Sequence, residues 1–142
     1  MVQELQERLA PKCVVLDSKN VMDIVICPGA SSSARVLFLE VKYLKDSSGR
    51  IGIGDWEGKG FQPEILRKRP TYFEAYMRWL IAAEDGWAVF VDNELIRKHA
   101  SGGSFVPGKQ NNIRESIFTE DAACVRTEDS LSRVVQWIEE SV

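Results

Sequence analysis

The ten residues RVLFLEVKYL (35–44) constrain the chain more than any other segment. They read as a strand whose alternation sends Leu37, Leu39, Val41 and Tyr43 to one face and Val36, Phe38, Glu40 and Lys42 to the other. The first of these faces is apolar throughout, so it must be covered by a second layer. The other begins with Val and Phe and then turns to Glu and Lys. A charged pair continuing the line of a core face calls for a sheet that opens into a cleft at that end.

Two further strand-like runs precede it, CVVLDS (13–18) and VMDIVIC (21–27), joined by a short turn. Before them, Val2, Leu5 and Leu9 stand at helical spacing and Pro11 ends the segment. After them comes the glycine-rich stretch KDSSGRIGIGDWEGKGFQ, read as an irregular loop or a short hairpin. Pro63 suits the first turn of a short helix, PEILRKR, that Pro70 stops. Thr71 and Glu74 then form a capping-box signal. Phe73, Met77, Leu80 and Ile81 behind it have helical spacing, which predicts a helix closed by Asp85-Gly86. WAVFVD (87–92) reads as a buried strand and NELIRKHA as a short helix. SGGSFVPGKQNN reads as a loop, ESIFT and AACVRT as weak strands. A last helix from about Thr127 buries Leu131, Val134, Val135 and Ile138. The expectation is one α/β domain over 1–142, a mixed central sheet flanked by helices. Its core spans about 2–92, in the order helix, three strands, helix, strand, and 93–142 are C-terminal additions.

Composition removes several classes of function. At 142 residues, 44% hydrophobic and 27% charged, the chain can bury an ordinary core. No apolar stretch approaches the roughly 20 residues that span a bilayer, and MVQELQERLA is polar and helical, unlike a signal peptide. No membrane association is expected. Three cysteines, Cys13, Cys27 and Cys124, lie far apart and form no CxxC, which points to a reducing cytoplasm. The single histidine, His99, rules out a His-rich zinc centre and any scheme needing two imidazoles. It stands near a helix end, where a cation suits the macrodipole. Any chemistry then belongs to carboxylates, lysines and a hard metal ion.

Charge is unevenly spread around a net −3. Between Lys59 and Arg69 four bases face one acid, whereas seven acids face two bases from Glu115 to the end. Phosphate would be drawn to one region and repelled from the other. The glycine stretch is no P-loop, because position 53 is Ile where a glycine is required and position 60 is Gly where Ser or Thr is required.

Antiparallel pairing of the second and third runs would set the start of one beside the end of the other, making Asp23 and Glu40 cross-strand neighbours. Two carboxylates so close repel unless a cation sits between them, the setting for a divalent metal, with Lys42 on the same face to hold a water. Two similar triplets, Glu57-Gly58-Lys59 and Asp17-Ser18-Lys19, lie in a loop and a turn.

Asp23, sixteen intervening residues and then Glu40-Val41-Lys42 resemble the PD-(D/E)XK nuclease superfamily, the restriction-endonuclease-like fold. The order of elements over residues 2–92 is similar to its αβββαβ core. The resemblance implies that Asp23 and Glu40 hold one or two Mg²⁺ ions (Mn²⁺ as substitute), joined by the backbone carbonyl of Val41. Lys42 would orient the attacking water. The ion would lower the water's pKa and screen the phosphate. In relatives a carboxylate of the first helix reaches the metal shell, a part open to Glu4 or Glu7, although both also read as exposed residues of an amphipathic helix. Some relatives carry a Gln in a QxxxY pattern, half present here as Gln62 with Leu66 in the Tyr position. Trp56 could stack on a base and Lys59 meet a phosphate, or Trp56 could simply anchor its loop.

The function this implies is a metal-dependent phosphodiester hydrolase, an endonuclease acting on DNA in preference to RNA, in restriction, repair or junction resolution. A homodimer would supply the two active sites that duplex cleavage needs. Two alternatives stand beside it. One is a non-catalytic nuclease-fold subunit or nucleic-acid-binding scaffold, which the acidic net charge favours. The other is an acidic adaptor in which Asp23 and Glu40 are accidental neighbours.

Overall fold

The computed structural model describes residues 1–10, 12–17, 22–29, 35–44, 49–54, 60–100 and 111–141. A five-stranded mixed sheet forms the centre. Its strands are β1 (Cys13–Asp17), β2 (Ile24–Pro28), β3 (Leu37–Leu44), β5 (Met77–Ala83) and β6 (Ala88–Val91), side by side in the order β1-β2-β3-β5-β6. Every neighbouring pair is antiparallel except β3 and β5, which run parallel. A parallel pair needs a crossover. Here it contains β4 (Arg50–Ile53), α2 (Phe61–Lys68) and α3 (Thr71–Tyr76).

Helices flank both faces. On one, α1 (Val2–Leu9) and α6 (Ser130–Ser141) bury Leu5, Leu9, Val134 and Ile138 against Ile24, Ile26, Leu37, Leu39 and Leu80. On the other, α2 and α4 (Asn93–His99) bury Ile65, Leu66, Leu95 and Ile96 against Met77, Trp79, Ile81, Val89 and Val91. That second layer also holds a two-stranded antiparallel ribbon of β4 and β7 (Asn111–Arg114), with α5 (Ile117–Glu120) beside it. The segment after residue 92 is thus integral to both cores. Among the described residues, no helix is long and apolar enough to cross a membrane.

Several expected elements differ. The helix read through Asp85 ends at Tyr76, and Met77–Ala83 is the strand β5. Met77, Trp79 and Ile81 enter one core and Leu80 the other, so a strand buried on both faces shows an apolar run, broken only by Arg78, instead of alternation. Asp85-Gly86 belongs to the turn of the β5–β6 hairpin, where Gly86 takes φ 95°. The glycine-rich stretch contributes β4, whose partner β7 begins in the last two residues of the segment read as loop. ESIFT is mostly α5, a short helix, because Phe118 turns inward to full burial. AACVRT keeps only a single bridge, Thr127 to Ala88.

Candidate active site

The register of β2 on β3 pairs Ile24 with Leu39, Val25 with Phe38 and Ile26 with Leu37. One rung further along, Asp23 falls opposite Glu40, at the mouth of the strand pair. Asp23 uses this position to continue the ladder, its Oδ2 accepting a hydrogen bond of 2.7 Å from the backbone N–H of Val41. In a strand, a residue's N–H and C=O project to the same edge. The Val41 carbonyl therefore opens toward Asp23 as well, while its side chain packs on the opposite face of the sheet.

Glu40 is the one buried carboxylate among the described residues, 2% exposed, in a row it shares with Phe38, Lys42 and Leu44. Lys42, two residues on and on the same face, brings Nζ to 2.8 Å from Glu40 Oε1. The same oxygen accepts a hydrogen bond from Gln62 Nε2. Burial pushes the Glu40 carboxyl above its usual range and the Asp23 carboxyl adds to the shift, while Lys42 opposes them. The cluster thus holds two carboxyls against one ammonium, with Glu40 out of reach of bulk water.

Local structure explains how Gln62 arrives there. Gly60 caps α2 with φ 105°, a conformation that favours glycine, and Pro63 sits in the first turn, where its missing N–H costs nothing. Phe61 packs edge-on to Phe73 at 5.2 Å, and Phe73 lies 5.2 Å from Phe38 on β3. This aromatic contact fixes the start of α2 over the end of the sheet. Gln62 Oε1 then accepts from the Gly54 N–H at 3.2 Å, which ties the ribbon to the cluster.

The structure brings Asp23, Glu40, Val41, Lys42 and Gln62 together. It does not bring Glu4 or Glu7 to them. Those two lie on the exposed side of α1, across the sheet from Glu40. Glu4 pairs with Arg8 at 3.3 Å and Glu7 accepts from Gln3 at 3.1 Å, because Leu5 and Leu9 are the residues α1 turns inward. Trp56 and Lys59 lie outside the described residues, as do the Glu57-Gly58-Lys59 triplet and Ser18-Lys19. His99 is remote from the cluster, held by Asp121 at 2.7 Å. The Gly54 amide is the participant that sequence reasoning missed. A backbone group leaves no trace in side-chain spacing, and only its place beside two other glycine positions hints at a close approach.

Among the described residues, no group of three or more His, Cys, Asp or Glu side chains converges as a metal cage. The donor set of Asp23, Glu40 and the Val41 carbonyl is smaller but consists of hard oxygens. Mg²⁺ is typically held by one or two carboxylates and keeps several waters, so this set fits it. Lys42 and Gln62 supply the compensating positive charge and dipole at Glu40 in the protein alone. No protein-family model matches the chain, and no curated protein is significantly similar to it.

Proposed function

We propose that the chain is a metal-dependent phosphodiester hydrolase, a nuclease acting on DNA, with Asp23, Glu40, Lys42 and Gln62 as its working side chains. The observation that carries this reading is the burial of Glu40 between a second carboxyl and a lysine, one rung beyond the last pairing of β2 with β3. A carboxylate placed there is destabilising for the fold, and such local inconsistencies mark functional sites. The finer fold assignment belongs to the same proposal. The run α1, β1, β2, β3, then α2, α3 and the parallel strand β5 supports it, with β4 of the separate ribbon inserted between β3 and α2.

Asp23, Glu40 and the Val41 carbonyl would hold the Mg²⁺ ion. When bound, the ion supplies a lowered pKa for the attacking water and charge screening of the phosphate. Lys42 presents its ammonium beside Glu40, where it orients a water and draws negative charge from the scissile phosphate. Gln62 is a positioning residue. It holds the Glu40 carboxylate with one end of its amide and the ribbon with the other. The excess of acids over bases in the whole chain favours the alternative of a non-catalytic scaffold.

Incubation with supercoiled plasmid at low salt, with Mg²⁺, Mn²⁺ or EDTA, decides between them. The nuclease nicks plasmid only with metal and loses the activity in Glu40→Ala and Lys42→Ala proteins that remain folded by circular dichroism. Metal-dependent nicking that persists in both variants refutes the site. Intact plasmid, branched DNA and RNA in every condition refute the activity.

A further inference from the structure

The β4–β7 ribbon turns Ile51, Ile53 and Ile113 into the core. Strand alternation then points Arg50, Gly52, Asn112 and Arg114 away from it. The register sets Arg50 directly opposite Arg114 and Gly52 opposite Asn112. A third arginine joins them. Arg126 lies flat over the Trp87 ring, 3.8 Å from its centroid, which holds the guanidinium in place at little entropic cost. The three arginines, with the hydroxyl-bearing Ser116 and Thr119, line one cleft of about 440 Å³. Glu115 also lines it and is the only acid to do so among the described residues. This concentration of base runs against a chain whose acids outnumber its Lys and Arg.

The cleft is connected to the carboxylate cluster. From Arg50 the strand runs to Gly54, whose N–H bonds Gln62, which in turn bonds Glu40. The four residue steps from Arg50 to Gly54 span about 13 Å of extended backbone. Gly52 leaves the outer surface between the two ends without a side chain, and Asn112 adds a donor beside it.

We propose that this cleft binds phosphate, and that its ligand is the backbone of a polynucleotide that extends on to the carboxylate cluster. The identity of the ligand rests on the nuclease reading; the anion chemistry rests on the arginines alone. Guanidinium groups match phosphate oxygens in fork geometry, and two hydroxyl side chains complete a donor set with, among the described residues, one acid to oppose it.

The test is binding of fluorescein-labelled duplex DNA, read by anisotropy in EDTA so that cleavage plays no part, across a salt series. Arg114→Ala and Arg126→Ala are each expected to weaken binding severalfold and to lower the salt slope by about one. Glu115→Gln, which removes the opposing acid, is expected to strengthen binding. A purely structural role for the arginines predicts no such gain. Inorganic phosphate is titrated in parallel, followed by NMR of the arginine Nε–H groups. Unchanged DNA affinity and slope in both arginine variants overturn the proposal. Phosphate shifts at these arginines would then make the cleft a small-anion site instead. Loss of DNA binding in the arginine variants of a protein that cuts neither plasmid, branched DNA nor RNA upholds the cleft and removes the nuclease reading. Cleavage with arginine-independent binding does the reverse.

Discussion

Replacing Lys42 by Met, which keeps the apolar stem and removes the ammonium, isolates the electrostatics of the cluster. In metal-free protein, Glu40 then loses its nearest cation, 2.8 Å away, in a position 2% exposed. A buried carboxylate without a partner costs about 3–5 kcal/mol. The carboxyl can instead take up a proton, and this sets a ceiling. At about 1.36 kcal/mol per pH unit, keeping a carboxyl of ordinary value 4.5 neutral at pH 7 costs about 3.4 kcal/mol. At pH 5 the same ceiling falls below about 1 kcal/mol. The sign follows from the direction of the shift. Burial already raises the folded-state value, and the substitution raises it further. The folded protein then binds the proton more tightly than the unfolded chain. The penalty is accordingly absent below about pH 4.5 and grows as pH rises through the folded-state value. Urea unfolding in EDTA should give a loss of about 2–3 kcal/mol at pH 7 and under about 1 at pH 5, with an unchanged m-value. Adding Glu40→Gln should restore most of the stability at pH 7. Equal losses at both pH values would show that Lys42 acts through packing, and the electrostatic reasoning would be wrong.

Four other substitutions follow from the same structure. Arg97, 7% exposed, donates to the Leu66 carbonyl at 2.7 Å and pairs with Glu74 and Glu94, joining α2, α3 and α4. Arg97→Ala should cost about 3 kcal/mol in urea unfolding, and Glu94→Ala under about 0.5, since Glu94 is 71% exposed. Asp92 caps α4 by accepting from the Leu95 N–H at 3.0 Å, so Asp92→Ala should lower stability by about 1 kcal/mol in the same measurement. Gln62→Ala should weaken Mn²⁺ binding roughly tenfold or more by calorimetry, as loss of a partner that orients a ligand carboxylate does.

The juxtaposition of Asp23, Glu40 and Lys42 was legible in the sequence because two antiparallel strands with alternating faces leave one register that keeps Leu37 and Leu39 inside. The helices α1 and α6 were legible for the same kind of reason, each burying a single stripe. The strand β5 was not. Met77, Trp79 and Ile81 face one core and Leu80 the other, and an apolar run with both faces buried has no period to distinguish strand from helix. The pairing of Ile51 with Ile113 joins segments far apart in the chain, so nothing local announces it. The arginine cleft depends on that pairing and was invisible with it. Gln62 was singled out by half a motif. Its contact with Glu40 depends on Phe61, Phe73 and Phe38 meeting, which is tertiary information.

The central claim is that Asp23 and Glu40 form a divalent-metal site, and Mn²⁺ titration followed by electron paramagnetic resonance tests it most directly. Saturable loss of the free Mn²⁺ signal is expected with the unaltered protein and with Glu4→Gln, and not with Asp23→Asn or Glu40→Gln. An unaltered protein that leaves the signal of free Mn²⁺ unchanged, or equal binding by all four proteins, would contradict the account.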